Sequence, residues 1–420
     1  MSAAAAGGTL VIRDKRDVYR FINESTRKSG TNRWLLIAAL ASLFVDSWDI
    51  AGFGAGVPSV IRTFQLDPAG VALLSTSAGL GAVVAAIGGG YLVDRVGRLR
   101  MFVLDMLLFV VAAIVGALAP NPQVLFAARF LMGIGIGLDV PAALSMVAEH
   151  SSTSTKRTNV NQNMIYNYVA LLASYLMSWL LVVSGVGNDL WRIQVAVGGL
   201  VALAIIVIRF SVAEESAFWL ASRGELHAAA KVIESAFHIQ TVVETAPEAA
   251  ARPRARYLDI LRGAYLPRTI LATEINLFQS IVYFAVGFYL PLTVGALFRD
   301  PAVALLGTAG INVAGLIGGS CAAIFANRIG LRRQTIFGFG LEVPILVILG
   351  IGVIGGWMPP VGGVLFLFAF LLAHTFGPAQ TGISIAALSY PTELRGQGTY
   401  GYAERSATGV KAVRGAFGSG

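Results

Sequence analysis

The sequence predicts an all-α integral membrane fold made of two pseudo-symmetric helical bundles, six spans in the first and four in the second. Three observations carry that prediction. The 420 residues are 56% hydrophobic and only 13% charged. The apolar residues come in blocks of about twenty, the length an α-helix needs to cross a ~30 Å hydrocarbon core while satisfying its own backbone hydrogen bonds. The basic residues fall in alternate connections, and one such connection recurs in the second half of the chain.

Hydropathy places the spans at 34–61, 70–93, 101–119, 123–148, 160–184, 191–208, 269–296, 302–326, 336–356 and 361–388. Residues 1–33 are polar and basic without a cleavable apolar core, so no signal peptide is expected and the first span does the targeting. The domains are then a tail at 1–33, a bundle at 34–208, a central loop at 209–268, a second bundle at 269–388 and a tail at 389–420. The central loop contains "EESAFWLASRGELHAAAKVIESAF" and the Pro- and Arg-containing "APEAAARPRAR".

Charge orients the chain. Arg13, Lys15, Arg16, Arg20, Arg27, Lys28 and Arg33 precede the first span, Arg95, Arg98 and Arg100 follow the second, and Lys156 and Arg157 follow the fourth. Arg328, Arg332 and Arg333 follow the eighth, whereas the opposite connections offer only Arg62 and Arg299. Positive residues stay inside, so both tails and the central loop are expected in the cytoplasm and the spans in the plasma (inner) membrane. The net charge of +8 is thereby accounted for without nucleic acid as a partner. Cys321 is the only cysteine and the four histidines are scattered, so neither a disulfide framework, a metal site nor a cofactor is expected. No nucleophile-and-base pair and no Walker-type loop is present, which argues against an enzyme and leaves an ion or solute gradient as the energy source.

"YLVDRVGRLR" after the second span has a weaker copy, "IFANRIGLRR", after the eighth, with Asp94 matched by Asn327 and Gly97 by Gly330. Paired halves of this kind are how secondary transporters are built. The stretch "GYLVDRVGRLR" resembles the signature loop of the major facilitator superfamily. "RFLMGIGIG" is similar to its fourth-helix motif, "EESAFWL" to an altered start of its central loop, and "YPTELRG" to the end of its tenth helix. The resemblance covers about residues 34–398 and implies the major facilitator fold.

Gly90 and Gly97 allow close approach and a tight turn, Asp94 can accept hydrogen bonds or cap a helix, and Arg95 and Arg98 hold the loop at the anionic leaflet. The resemblance implies that this loop latches the two halves in one state; a topology anchor accounts for the same residues. In the superfamily the aspartate faces an eleventh helix. Here "TYGYAERSATGVKAVRGAFGSG" follows "YPTELRGQG" and has no apolar run long enough to span, so two spans of the family pattern are missing. A truncation, a frame error or a natural ten-helix variant gives that pattern, and the alternative reading of the chain is a truncated, non-transporting or sensor-like member.

Ionisable groups inside spans are costly and mark function. Asp46 and Asp49 lie near the middle of the first span, one turn apart, and carboxylates that close resist simultaneous ionisation, which suits a proton carrier; packing glue is the alternative. The fourth span carries Arg129 and Asp139, with Gly133 and Gly137 one turn apart for close packing. "DSWD" and "GIGLDVP" are similar to segments of the phosphate and organic-solute proton symporters of the superfamily. By that resemblance Asp46, Asp49 and Asp139 would take and release the proton and Arg129 would shift their affinity; Arg129 snorkelling to the interface remains the structural alternative. Asp105 and Glu342 read as structural pairs.

Other polar residues are candidates to line a substrate cavity: Asn163, Tyr166 and Asn167 on one face of the fifth span, Glu274, Asn276, Gln279 and Tyr283 in the seventh, and His374, Thr375 and Gln380 in the tenth. Interhelical hydrogen bonding explains them equally well. The hexose-transporter signature of the seventh helix is absent from "NLFQSIVYFAVGFYLP", and Arg129 and Arg192 are the main fixed cations in the spans. The cargo therefore stays open among neutral, cationic and anionic metabolites. The expected function is secondary active transport of a small molecule by alternating access, in symport with protons, by a monomer in contact with membrane lipid.

Overall fold

The computed structural model describes residues 9–24, 30–152, 154–212, 215–244, 263–286, 290–298 and 300–389. In chain order these form β1 (Thr9–Ile12), α1 (Lys15–Glu24), α2 (Gly30–Phe64), α3 (Pro68–Val96), α4 (Arg98–Ala117), α5 (Pro122–Glu149), α6 (Lys156–Asn161), α7 (Asn163–Val183) and α8 (Leu190–Val212). There follow α9 (Ala217–Ser222), α10 (Leu226–Phe237), β2 (Gln240–Val243), α11 (Leu266–Val286), α12 (Leu290–Leu297), α13 (Pro301–Ile329), α14 (Leu331–Ile354), α15 (Pro360–Phe376) and α16 (Pro378–Ser389).

Local sequence explains where the long helices start and stop. Three begin with an Asx cap followed by proline: Asp67 accepts from the Gly70 N–H, Asn121 from Val124 and Asp300 from Ala302, each just before Pro68, Pro122 or Pro301. The cap satisfies an orphan N–H and proline needs none. Gly97 alone separates α3 from α4 at φ 117°, and Gly330 alone separates α13 from α14 at φ 82°. Both angles lie where L side chains are strained, so the two copies of the repeated motif make the same one-residue turn. The end of the molecule that carries these turns is called the basic end below.

Small residues set the helix spacing. A Cβ on Gly133 would strike the Ala78 carbonyl, one on Gly81 the Phe130 carbonyl, and one on Gly137 the Ala85 methyl at 2.6 Å, so α3 and α5 run backbone against backbone. The two halves meet along α7 and α13 by the same device, Gly315 against the Tyr168 ring and Gly319 against Met164. Away from these seams the pattern inverts: Leu104, Leu107, Val111 and Ile114 form an exposed apolar stripe on α4, suited to hydrocarbon rather than water.

Among the described residues nine helices are long and apolar enough to cross a membrane. The seventh expected span, 269–296, differs: it is carried by α11 and the short α12, and the polar residues Thr269, Thr273, Asn276, Gln279 and Ser280 lower the apolarity of α11. The tenth is interrupted at Gly377, where α15 ends and Pro378 opens α16; Gly338 of α14 passes so closely that a Cβ on either glycine would clash. The tail after 389, with its expected missing spans, and residues 245–262 of the central loop lie outside the described residues.

The first tail and the central loop do more than connect. β1 pairs in parallel with β2, Thr9 to Gln240 through Ile12 to Val243. Leu10, Ile12, Val18 and Ile22 are buried with Phe218, Trp219 and Ile233 from α9 and α10. A small layered cap thus sits at the basic end, where the sequence reading had a tail and a loop. Helix α8 also runs to Val212, past the expected boundary at 208.

The close approach of α3 and α5 makes a direct prediction. Gly133→Ala forces the Ala78 backbone to move and costs roughly 1–3 kcal/mol, whereas Gly54→Ala enters space with nothing within 4 Å. Thermal unfolding of the purified protein should show a lower midpoint for the first variant and an unchanged one for the second; equal midpoints contradict the packing.

Candidate coupling and substrate site

The buried charges of the first bundle divide into two groups. Asp46 and Asp49 come from α2, Asp105 from α4, Arg129 and Asp139 from α5 and Arg209 from α8. Asp46 is 6% exposed and Asp105, Asp139 and Arg209 are fully enclosed. Arg129 Nη1 donates to Asp49 Oδ2, and its guanidinium lies 4.0 Å over the Phe53 ring. Arg129 is thus a buried ion-pair partner, not a side chain snorkelling to an interface. Arg209 forms the second group, with Nη1 3.3 Å from Asp105 Oδ1 and Nη2 3.6 Å from Asp139 Oδ1. It also donates to the Phe102 carbonyl and lies over the Phe102 ring.

Asp46 stands between the groups. Both its carboxylate oxygens are buried without a hydrogen-bond partner, and it lies in electrostatic range of Asp49, Asp139 and Arg209. Burial of an unpaired carboxylate is expensive, and a bound proton relieves it. Asp105 is paired, as expected, but its partner was not foreseen. Arg209 falls at the margin of the last span of the bundle, where falling hydropathy placed it in the central loop.

The candidate substrate residues scatter. Asn163 is buried near the basic end, Tyr166 is half-buried and packs with the α3 and α5 cluster, and Asn167 is half-buried. In α11, Gln279 Nε2 donates to Asn276 Oδ1 at 3.1 Å and Ser280 Oγ at 2.9 Å, while Glu274 is exposed. Tyr283 and His374 do come together, ring centroids 5.7 Å apart and nearly parallel. His374 Nδ1 is 3.3 Å from Glu342 Oε1, so Glu342 also has a partner. Tyr168 and Tyr175 of α7 join Tyr283 and Phe370 in the apolar seam between the halves. The sequence reading chose the polar face of α7; the face bearing 164, 168, 171 and 175 is the one that meets the second half.

At the basic end the halves are tied by polar bonds. Gln380 Nε2 donates to Asn161 Oδ1 at 2.9 Å, Ser384 Oγ donates to the same oxygen, and Asn161 Nδ2 donates to the Ala322 carbonyl at 3.4 Å. Asn327, the counterpart of Asp94, donates to the Ser154 carbonyl at 2.8 Å and to Thr158 Oγ1 at 3.0 Å.

The loop after α3 is held from within its own half. Arg98 is fully enclosed, with Nη2 2.8 Å from Asp94 Oδ1 and 3.3 Å from Glu149 Oε1. Glu215 accepts from the Arg98 and Leu99 N–H groups at the start of α4, where a helix attracts an anion. Burial pushes the Glu215 carboxyl up from its ordinary range, against the opposing pull of the Ser216 and Leu99 N–H groups and the Arg98 cation. Trp219 Nε1 donates to the Asp94 carbonyl at 2.9 Å, and Arg223 Nη1 to the Arg95 carbonyl at 2.7 Å. Arg95 is exposed beside Tyr91, and Gly90 lies within α3. The Asp94 carboxylate therefore meets Arg98, and among the described residues no eleventh helix faces it.

Among the described residues no group of three or more His, Cys, Asp or Glu side chains is arranged to hold a metal. An apolar groove lined by Ile317, Cys321, Phe325 and Phe376 lies on α13 and α15, away from the buried charges.

Comparison with known proteins agrees with this architecture. The 4-hydroxybenzoate transporter PcaK of Pseudomonas aeruginosa is 24% identical over 323 residues, 74% of this chain and 68% of that protein. The gallate transporter of Pseudomonas putida is 26% identical over 388 residues, 89% of this chain and 82% of that protein. The proton:xylose symporter XylE, in a structure bound to 6-bromo-6-deoxy-D-glucose, superposes with a TM-score of 0.80 at 18% identity, covering 92% of this chain and 88% of XylE. The family model of the Major Facilitator Superfamily matches residues 39–404, and the chain, an all-α multi-pass integral membrane protein, belongs to that superfamily.

Proposed function

We propose that the chain is a secondary active transporter that carries a small organic metabolite in symport with protons, its two bundles alternating access to a site between them. The observation that carries this reading is Asp46, whose two carboxylate oxygens are both buried without a hydrogen-bond partner, one turn from the Asp49–Arg129 pair. A proton on Asp46 removes a charge that lipid-embedded protein does not tolerate, so loading and unloading it biases the bundle between arrangements. Asp139, beside Arg209, is the third proton-coupling acid, and Arg129 sets the affinity of Asp49.

The seam between the halves is the cargo site in this reading. Tyr283 and His374 offer flat faces and polar edges, and Gln279, Asn163, Tyr166 and Asn167 come into reach only as the bundles move apart. Aromatic rings with a few hydrogen-bonding groups suit a hydroxylated ring, and the names of the relatives, 4-hydroxybenzoate and gallate transporters, support trying such solutes first. The basic end faces the cytoplasm. There the loop formed by Gly90, Asp94, Arg95, Gly97 and Arg98 acts as the latch, gripped by the cap through Glu215 and Trp219, while Asn161, Gln380, Ser384 and Asn327 bridge the halves. Opening this end breaks those bridges.

Two outcomes follow. In proteoliposomes with an internal pH dye, challenged with 4-hydroxybenzoate, gallate, xylose, phosphate and organic cations, one solute class should drive acidification. Asp46→Asn should abolish proton-driven accumulation while solute counterflow persists; full accumulation by that variant removes the proton role. Separately, Val160→Cys in a Cys321→Ser background places a thiol at a fully buried position of the basic end. Adding Asn161→Ala, which removes the acceptor for Gln380 and Ser384, should raise its maleimide labelling rate about tenfold; an unchanged rate shows that these bonds do not close the seam.

A further inference from the structure

We propose that Asp105 and Arg209 belong to the proton-binding machinery: together with Asp46, Asp49, Asp139 and Arg129 they form one buried, charge-compensated site that holds two protons. This rests on the proton-symport reading of Asp46 and Asp49 and extends it to the basic end of the bundle.

The geometry is a ladder. Arg129 lies in the far part of α5 and reaches Asp49 near the middle of α2. Asp46 is one turn nearer the basic end, in electrostatic range of Asp139 on α5. Arg209, in the last turn of α8, reaches up to Asp139 and Asp105. An arginine therefore stands at each end with carboxylates between. These are the charged groups that α2, α4, α5 and α8 turn toward one another at this level; Arg98 and Glu149 are paired with each other nearer the basic end.

Charge arithmetic sets the occupancy. Four carboxylates and two guanidiniums, every one nine-tenths buried or more, leave two negative charges without a counter-ion. Neither Asp46 oxygen has a hydrogen-bond donor, and neither has Asp105 Oδ2, whereas Asp139 has Ser42 and the Arg209 guanidinium beside it. Uncompensated charge in such surroundings is neutralised by binding protons. Arg209 stands 3.3 Å from one carboxylate and 3.6 Å from the other, so it cannot fully neutralise both, and a proton occupies whichever it leaves. A transfer is balanced within the site: with Asp46 protonated throughout and Arg209 paired with Asp139, the O–H bond of a protonated Asp105 breaks as one forms on Asp139, and Arg209 then pairs with Asp105, so two protons are held before and after. The competing structural reading makes Asp105 and Arg209 a permanent ion pair that never exchanges with the rest.

The test needs no cargo. The full chain in liposomes is examined by infrared spectroscopy for the C=O stretch of protonated carboxyl groups at neutral pH, assigned by its shift in heavy water. The native protein should show the band. Arg209→Gln removes a cation, so the band should grow by about half as a further carboxylate takes a proton. Asp105→Asn should reduce it to about half, and so should Asp139→Asn, which keeps the test readable if Arg209→Gln does not fold. If Asp46→Asn weakens the band while the Asp105, Asp139 and Arg209 variants leave it unchanged, the extension is overturned and the Asp46–Asp49 site survives. Absence of the band in the native protein overturns both.

Discussion

A charge inside hydrocarbon must find its opposite or a proton, and the first bundle is arranged around that constraint. Asp49 on α2 takes Arg129 from α5, and Arg209 from α8 takes Asp105 from α4 and Asp139 from α5. Each pair therefore fastens helices distant in sequence. Removing one partner of a buried pair costs about 3–5 kcal/mol, a large part of the roughly 5–15 kcal/mol that holds a domain together. A glycine also sets the approach of α5 to α4: a Cβ on Gly135 would stand 3.0 Å from the Asp105 carbonyl, so the two backbones run close beside the Arg209 pairs. Asp46 is left over from the pairing, and the proposed proton role is assigned to it because burial without a partner disfavours its charge.

The basic end answers a different constraint. Gly97 ends α3 and starts α4 at once, so the first N–H groups of α4 need acceptors from elsewhere. Glu215 supplies them, Arg98 is enclosed between Asp94 and Glu149, and Ser216 donates to Glu149. The loop is thus tied to α9, and α9 through its apolar core to β1 and α1. The N-terminal strand, separated from β2 by the whole first bundle, closes that cap by parallel pairing. A movement of the α3–α4 turn is thereby felt by the whole cap.

Much of this was legible in the sequence. Hydropathy marked the long apolar helices other than the seventh expected span, whose polar residues set α11 apart, and the repeat around Asp94 and Asn327 pointed to the two matching glycine turns. Asp46, Asp49, Arg129 and Asp139 stood out because ionisable residues are rare in such surroundings. What was not legible is pairing. Nothing local tells Arg129 to take Asp49 and leave Asp46, because both lie one turn apart on the same helix. Arg209 was hidden by its position at the end of α8, where a basic residue reads as an interface anchor. Tyr168 and Tyr175 carry no local signal, because the face of α7 that meets α13 reads as ordinary apolar packing. The short strands 9–12 and 240–243 carry too few residues for periodicity to mark, and their pairing is a long-range fact.

In the proposed mechanism, proton occupancy of the buried acids governs how the two bundles sit against each other. The direct measurement is the distance between spin labels at the exposed positions Arg100→Cys and Arg332→Cys, one on each half at the basic end, in a Cys321→Ser background. Pulsed electron paramagnetic resonance in lipid nanodiscs at acid and alkaline pH should show the distance populations shift with pH, and the shift should vanish in Asp46→Asn. A distance distribution that shifts identically in Asp46→Asn, or that does not respond to pH at all, would contradict the account.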